Sequence, residues 1–572
     1  MKLREMRIKN FRSIGEKEVI LKMNDILFLI GKNSAGKSNL LEVYEFFWKT
    51  NNIAKKYDFN NKDTSKTIRI ELVFKLSSEQ INKMIDNKRF RFESFISDEE
   101  TIKLSKSWSG NNCWIQMFDY QNNFWVPKQF ISQIISYMFS LLPIPVRVKG
   151  MDTVDETINE FNQLYDFMWQ QGIAFKGKGR ELKSPAELIR NNPGNKIIED
   201  RLNNLVRKVF KNIIIIPLMK KDTDLGDGEN SRIMIEERKE EDPKDRINIT
   251  RVGDAVKRQL IFANLIYKDE LDDVINKRTT APKNKILFIE EPELFAHPET
   301  IRDIRDMLYE IPDEPNYQVI CTTHSPIIID LAKQHSTYVR VVKDVEGTSI
   351  HQVTQDLFNE SDSNVREKMK MLNYFNPYVC EAFFTDKVLL VEGDTEYTVV
   401  NFLLQKLKEE DCLQSHENIH VVKCGSKTNI PFFQKVLRYF GIAYYVFHDL
   451  DYTYAKNCSK NSAWTLNRLI WDEVKEAISN GVPAARYIFK YNFEFAHKYE
   501  YNVSEGKPYS ALRHFDKMNY EDIKNGKNIP PIINYILDIF GECTNSLPVF
   551  DMSYVDKNST AKPKKCKKTK NK

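Results

Sequence analysis

The feature that most limits what this chain can become is eight residues long. Five apolar residues, Ile26-Leu27-Phe28-Leu29-Ile30, run into Gly31-Lys32-Asn33-Ser34-Ala35-Gly36-Lys37-Ser38. Asn39 to Phe47 then carries apolar residues at helical spacing. An unbroken apolar run ending at a glycine predicts a buried parallel strand. Strand, G-x-x-x-x-G-K-S and helix in that order form a phosphate-binding loop. Its glycines let backbone N–H groups turn inward around an anion, and the helix N-terminus adds a favourable dipole. Gly31, Asn33 and Gly36 shape the loop, Lys37 reaches the β and γ phosphates, and the Ser38 hydroxyl is a ligand for Mg²⁺. The expected fold class is therefore α/β, with ATP as a cofactor.

A loop of this kind needs carboxylates at the end of another buried strand. Ile286-Leu287-Phe288-Ile289-Glu290-Glu291 supplies them. Glu290 stands where an acid orients the metal, and Glu291 where a base polarises the attacking water. Arg251-Val252-Gly253-Asp254 opens a predicted helix ahead of this pair. Cys321-Thr322-Thr323-His324-Ser325-Pro326 ends the strand after it, which brings His324 to the same edge, within reach of a γ-phosphate or the water. This order resembles the ABC-type ATPases of the SMC and RecF kind. The resemblance implies that Gly253 faces nucleotide held by a second copy of the chain. The pattern departs from the family at two points. Arg251-Val252-Gly253 stands where Leu-Ser-x-Gly is usual, and Glu290 stands in place of Asp.

A second acid cluster follows. Lys387-Val388-Leu389-Leu390-Val391-Glu392-Gly393 ends a strand in an acid and a turn glycine, and Glu396 lies on the first turn of the next helix. Ala443-Tyr444-Tyr445-Val446-Phe447-His448-Asp449-Leu450-Asp451 ends another buried strand in D-x-D. Parallel strands present their C-terminal ends along one edge, so Glu392, Glu396, Asp449 and Asp451 are expected to converge. Such acids repel one another unless divalent cations sit among them, and hard oxygen donors favour Mg²⁺ or Mn²⁺. The pattern resembles the Toprim fold. An ATPase running into Toprim through Cys380-Glu381-Ala382-Phe383-Phe384 is similar to the OLD (overcoming lysogenisation defect) family of nucleases. The nuclease subunit of the Gabija system and the effectors of OLD-type retrons share this layout.

That resemblance implies a metal-dependent DNA endonuclease with a late acid and a late lysine. Glu494 in Tyr491-Asn492-Phe493-Glu494 and Lys507 in Gly506-Lys507-Pro508 match these, with Asp472 and Lys517 as alternatives. The catalytic set is then Glu392, Asp449, Asp451 and Lys507, beside Glu291 and His324 for ATP. The metal set is Glu392, Glu396, Asp449, Asp451 and Glu494, with Ser38 at the nucleotide. The loop Lys423 to Asn429 is expected to line the metal site or bind a phosphate. Two other readings stay open: a RecF-like ATP-gated DNA-binding clamp with a noncatalytic Toprim domain, and a strand breaker using a covalent tyrosine.

Length sets the domain count. At 572 residues the chain has room for several domains. The expectation is an ATPase over 1–75 and 213–360 and a mostly helical, dimerising insertion over 76–212. A connector over 361–385, a Toprim Rossmann-like domain over 386–555 and a disordered Lys-rich tail over 556–572 complete it. Residues 219–246 read as mostly loop. The net charge of +5 rests on that tail, whose residues 557–572 hold eight Lys and no acid. Global charge therefore gives no argument for nucleic-acid binding, and local patches must supply it. The start MKLREMRIKNFRSIG has no apolar stretch of a secretory leader, and eight Cys without CxxC spacing suit a reducing cytoplasmic setting. Expected partners are DNA, further copies in a dimer or tetramer, and a helicase-like protein or a retron reverse transcriptase with its DNA. No membrane partner is expected.

Overall fold

The computed structural model describes residues 1–49, 53–86, 92–148, 213–217, 233–237, 246–248, 284–294, 296–313, 316–330, 336–353, 378–455, 459–543 and 546–560. Two compact units divide the chain, Met1–Lys370 and Met371–Lys572.

Among the described residues the first unit holds three sheets. β1 (Lys2–Lys9), β2 (Val19–Lys22), β4 (Ile68–Lys75), β5 (Thr101–Ser109), β6 (Asn112–Asp119) and β7 (Phe124–Pro127) form an antiparallel sheet in the order β2-β1-β4-β5-β6-β7. β3 (Ile26–Ile30), β8 (Ile144–Val148), β12 (Lys285–Glu290), β13 (Tyr317–Thr322), β14 (Ser336–Lys343) and β15 (Thr348–Val353) form the central sheet in the order β15-β14-β3-β13-β12-β8. All its neighbours pair in parallel except the edge strand β15. Burial on both faces explains the unbroken apolar runs: Ile26 to Ile30 and Ile286 to Ile289 are all buried. α1 (Lys37–Trp48), α2 (Ser78–Ile85), α3 (Ser132–Leu141) and α4 (Pro298–Glu310) complete the described helices of eight residues or more here. Tyr44 of α1 stacks on Phe288 of β12, ring centroids 5.8 Å apart, and so seats the helix behind the phosphate loop onto the sheet.

Two expectations need correction. Residues 76–212 are not mostly helical where described: β5, β6 and β7 extend the antiparallel sheet, and β8 is an edge of the central one. Thr101-Ile102-Lys103-Leu104 alternates with a period of two and buries Ile102 and Leu104, a strand signal that the polar residues around it obscured. Within 219–246, read as mostly loop, β10 (Ile233–Glu237) lies between β9 (Ile213–Pro217) and β11 (Arg246–Asn248) in an antiparallel sheet. The segment 556–572 is ordered at its start. Helix Met552–Asn558 buries Val555, and the Trp464 indole donates to Ser559 Oγ at 2.8 Å. Residues 561–572, most of 149–283 (Gly253 included) and 354–377 lie outside the described residues.

The second unit is a four-stranded parallel sheet of β16 (Lys387–Val391), β17 (His420–Lys423), β18 (Ala443–Asp449) and β19 (Ala484–Phe489), ordered β17-β16-β18-β19. α5 (Asp394–Glu409), α6 (Ile430–Tyr439), α7 (Ser462–Ser479), α8 (Lys507–Asp516) and α9 (Pro531–Ile539) surround it. α5 packs on α8 and α9, burying Val399, Leu403, Phe515 and Ile536. The strands share a direction, so the residues after Val391, Lys423, Asp449 and Phe489 all emerge on one edge. Among the described residues no helix is long and apolar enough to cross a membrane.

Candidate functional site

The edge of the central sheet of the first unit gathers the nucleotide residues. β3 ends in the phosphate loop, whose glycines take positive φ angles open to glycine: Gly31 has φ 141° and Gly36 φ 110°. A Cβ on Gly36 would meet the Ser13 hydroxyl at 2.8 Å and collide with Thr348 Oγ1. Asn33 and Ser38 are exposed, as atoms facing a ligand must be. Lys37 is 6% exposed and its Nζ donates to the carbonyls of Gly31 and Lys32, both at 2.9 Å. Burial draws its pKa down to about 8, against the opposing charges of Glu291 and Glu293. A buried ammonium bonded to neutral carbonyls gains from an incoming phosphate, so the loop fits a nucleotide.

Glu290 and Thr322 are register partners, which brings the ends of β12 and β13 side by side. Glu291 adopts φ 44°, its N–H donates to the Thr322 carbonyl at 3.0 Å, and its carboxylate lies 3.3 Å from His324 Nε2. Burial, then the Lys37 charge, holds the His324 pKa below its usual value, while Glu291 raises it. Acid and histidine are thus brought together as the sequence suggested. Two residues were missed. Glu293 accepts from Thr323 Oγ1 (2.8 Å), the His324 N–H (2.7 Å) and the Ser325 N–H (3.1 Å), which sets the histidine turn. Arg147, near the end of β8, donates from Nε to Glu290 at 3.0 Å, from Nη1 to Glu45 at 3.0 Å and from Nη2 to Glu42 at 3.2 Å. Glu290 is therefore held by a guanidinium. The second carboxylate in Glu-Pro-Glu was a usable signal for Glu293; Arg147 had none, because its partners are distant in sequence.

The edge of the parallel sheet in the second unit gathers the other acids. Glu392 follows β16 and its Oε2 accepts from the Asp449 N–H at 3.5 Å. Glu396 is 7% exposed on the first turn of α5 and accepts from the Gly393 N–H at 3.1 Å. Burial, with the charges of Glu392 and Glu494, pushes its pKa up to about 7. Asp449 is driven well above the usual carboxylate range by burial and then by Glu396, Glu392 and Asp451, and its Oδ1 is buried without a hydrogen-bond partner. Glu494, on the short helix Phe493–Ala496, accepts from Lys507 Nζ at 2.7 Å. The charges of Glu494, Glu396 and Asp449 also act on Tyr499, whose buried hydroxyl has no partner and which burial keeps protonated. Asp472 pairs with Lys475 on α7, and Lys517 is the C-terminal cap of α8.

The acids share an edge without forming a finished cage. Among the described residues no group of three or more His, Cys, Asp or Glu side chains is arranged to hold one ion. Lys427, only 2% exposed, explains part of this: its Nζ donates to the Asp449 carbonyl and to Asp451 Oδ2 at 2.7 Å. The loop Lys423 to Asn429 thus lines the acid site, as expected. The donor set still fits a hard divalent cation, because it is all oxygen and includes a buried acceptor with nothing to bond.

A phosphate loop with a strand-end acid and histidine, followed by a parallel sheet edged with acids, defines an ATPase joined to a Toprim nuclease domain. Comparison with known proteins agrees. The AAA ATPase domain family matches residues 1–136 and 145–329, and the overcoming lysogenization defect protein-like TOPRIM domain matches 383–451. The Old nuclease of Escherichia phage P2 is 24% identical over 491 residues, covering 79% of this chain and 78% of that one. The OLD nuclease of Thermus scotoductus is 30% identical over 174 residues, 30% of this chain and 32% of that one. The endonuclease GajA of Bacillus cereus is 23% identical over 446 residues, covering 72% and 69%. The chain belongs to the AAA ATPase domain family, carries an OLD-like TOPRIM domain after it, and is similar to nucleases of the OLD type.

Proposed function

We propose that this chain is an ATP-regulated endonuclease that hydrolyses phosphodiester bonds of DNA at the second-unit acids, in defence against phage. The observation that carries this reading is Asp449 Oδ1, a buried unpartnered acceptor beside Glu392, Glu396 and Asp451. A noncatalytic DNA clamp has no use for such a site, since clustered carboxylates repel phosphate. Glu392, Asp449 and Asp451 would hold one Mg²⁺ or Mn²⁺, and Glu396 with Glu494 a second. Held by these acids, divalent cations would supply activation of water and neutralisation of charge on the leaving 3′ oxygen.

The chain's own residues do the rest. Glu392, whose pKa burial raises, would serve as general acid or base. Lys507 would leave Glu494 to meet charge on the phosphate, an effect of about 10²–10³ in rate. In the first unit, Glu291 would polarise the attacking water, with His324 at 3.3 Å to hold it in place. Ser38 would take the Mg²⁺ that accompanies ATP, and Gly253 of a second copy would complete that site. Nucleotide state would then control access to the nuclease. The likeness to GajA supports the defence role, with a helicase-like partner or a retron reverse transcriptase as its associate.

The test is incubation of supercoiled plasmid with the full chain, with Mg²⁺ or Mn²⁺ and with or without ATP. Cleavage should appear and should vanish for Asp449→Ala with folding intact. Substantial nicking by pure Asp449→Ala protein would sink the site. Products should run as free ends without protease treatment. Protein-bound ends would mean tyrosyl transfer instead.

A further inference from the structure

The same edge that carries the acids also carries rings. Tyr452 follows Asp451 directly, and the Asp451 N–H donates to the Tyr491 carbonyl at 3.1 Å. Asp451 and Tyr491 both have φ 64°. A bulky L-residue enters the left-handed region rarely, and such strain persists only where the surroundings enforce it, most often at functional sites. The two facing left-handed turns bring the Tyr452 and Tyr491 rings into a stack, centroids 4.9 Å apart and planes 16° from parallel. Phe495, beside Glu494, meets Tyr491 edge-on at 4.8 Å and is 57% exposed. The exposed Lys490 holds its Nζ 5.7 Å from the Tyr491 centroid.

Core packing does not account for this arrangement: Tyr452, Tyr491 and Phe495 lie outside the hydrophobic cluster of their unit. Electrostatics adds a requirement. An edge lined with Glu392, Asp449, Asp451 and Glu494 repels a phosphate backbone, so attraction must come from elsewhere. Aromatic faces supply it for any base, since every base has a π-face, and a neighbouring cation can take a phosphate.

We propose that Tyr452, Tyr491 and Phe495 form a stacking platform for unpaired bases of the DNA strand cut at the adjacent acids, with Lys490 on a flanking phosphate. The proposal rests on the nuclease reading above and names its substrate class: a strand with bases out of the duplex, as in single strands, flaps or opened duplex. A closed duplex offers no free base face to such a platform.

The experiment measures fluorescence anisotropy of labelled oligothymidylate and of a labelled duplex with the full chain, Ca²⁺ replacing Mg²⁺. Tyr491→Leu and Phe495→Ala should each weaken single-strand binding on the order of tenfold. Tyr491→Phe should keep wild-type affinity, and duplex binding should not change in any variant. A strand of abasic residues should bind wild-type protein as poorly as the ring variants bind oligothymidylate. Unchanged single-strand affinity in both ring variants, or equal loss for duplex and single strand, overturns the platform. Wild-type protein that binds the single strand through these rings but cuts no DNA with Mg²⁺ or Mn²⁺ overturns the nuclease reading and leaves the platform standing.

Discussion

A carboxylate takes its chemistry from what stands next to it. Glu396 and Asp449 hold their protons more tightly than ordinary acids because burial and neighbouring acids disfavour their charge. A carboxyl must lose its proton to bind a cation, so metal affinity should fall as pH drops through about 7. Calorimetry with Mn²⁺ in buffers of different ionisation enthalpy should show proton release on binding. The same shift has a sign for stability. In metal-free protein the stability from Glu396 is complete below its unfolded pKa of 4.5 and is lost as pH rises through about 7. The second unit should therefore melt at lower temperature at pH 8 than at pH 5, and Mg²⁺ should raise the melting temperature at pH 8. Arg147 carries the matching prediction in the first unit. Arg147→Ala leaves Glu290, Glu42 and Glu45 without their shared cation, and urea denaturation should show a loss of about 2 kcal/mol.

An element places what a residue cannot place alone. α1 presents the phosphate loop at its N-terminus, and its other end is fixed by β5. Lys106, 0% exposed, donates to the carbonyls of Phe47 at 3.2 Å and Lys49 at 2.5 Å. Burial takes its pKa down to about 8. That tie is one reason β5 belongs to the ATPase and not to an insertion. Short antiparallel strands such as β6 and β7 leave weaker traces than the parallel core. Cys113 and Trp114 of β6 are exposed, so its alternation is poor. By contrast β3, β12, β16 and β18 were legible, because strands buried on both faces read as apolar runs. Gly36→Ala tests the loop at this scale. With φ 110° and no room for a Cβ, the substitution should distort the loop and abolish ATP binding in a calorimetric titration.

At the scale of the molecule, each unit has a hydrophobic cluster of its own, one built from residues of 1–350 and the other from 389–555. Leu403, 0% exposed on α5, belongs to the second. Leu403→Ala should cost about 2–5 kcal/mol in that unit, yet leave ATP affinity at the wild-type value. Lys37→Ala makes the converse test, losing nucleotide binding while Mn²⁺ binding to the second unit persists. A shared loss in either variant would show that the two units fold as one.

Every piece whose chemistry sits in adjacent residues was readable along the chain: the loop from Gly31 to Ser38, the pair Glu290-Glu291, the turn Glu392-Gly393 and the D-x-D of Asp449 and Asp451. Local spacing is enough there, because one strand end or one helix turn holds the whole device. Which cation faces which acid was settled by folding alone. Arg147 meets Glu290 across 143 residues and Lys427 meets Asp451 across 24, and the Tyr452–Tyr491 stack joins the ends of two strands. Charge and ring contacts act through space over a few ångströms, and no pattern along the chain records which distant residues folding will bring that close.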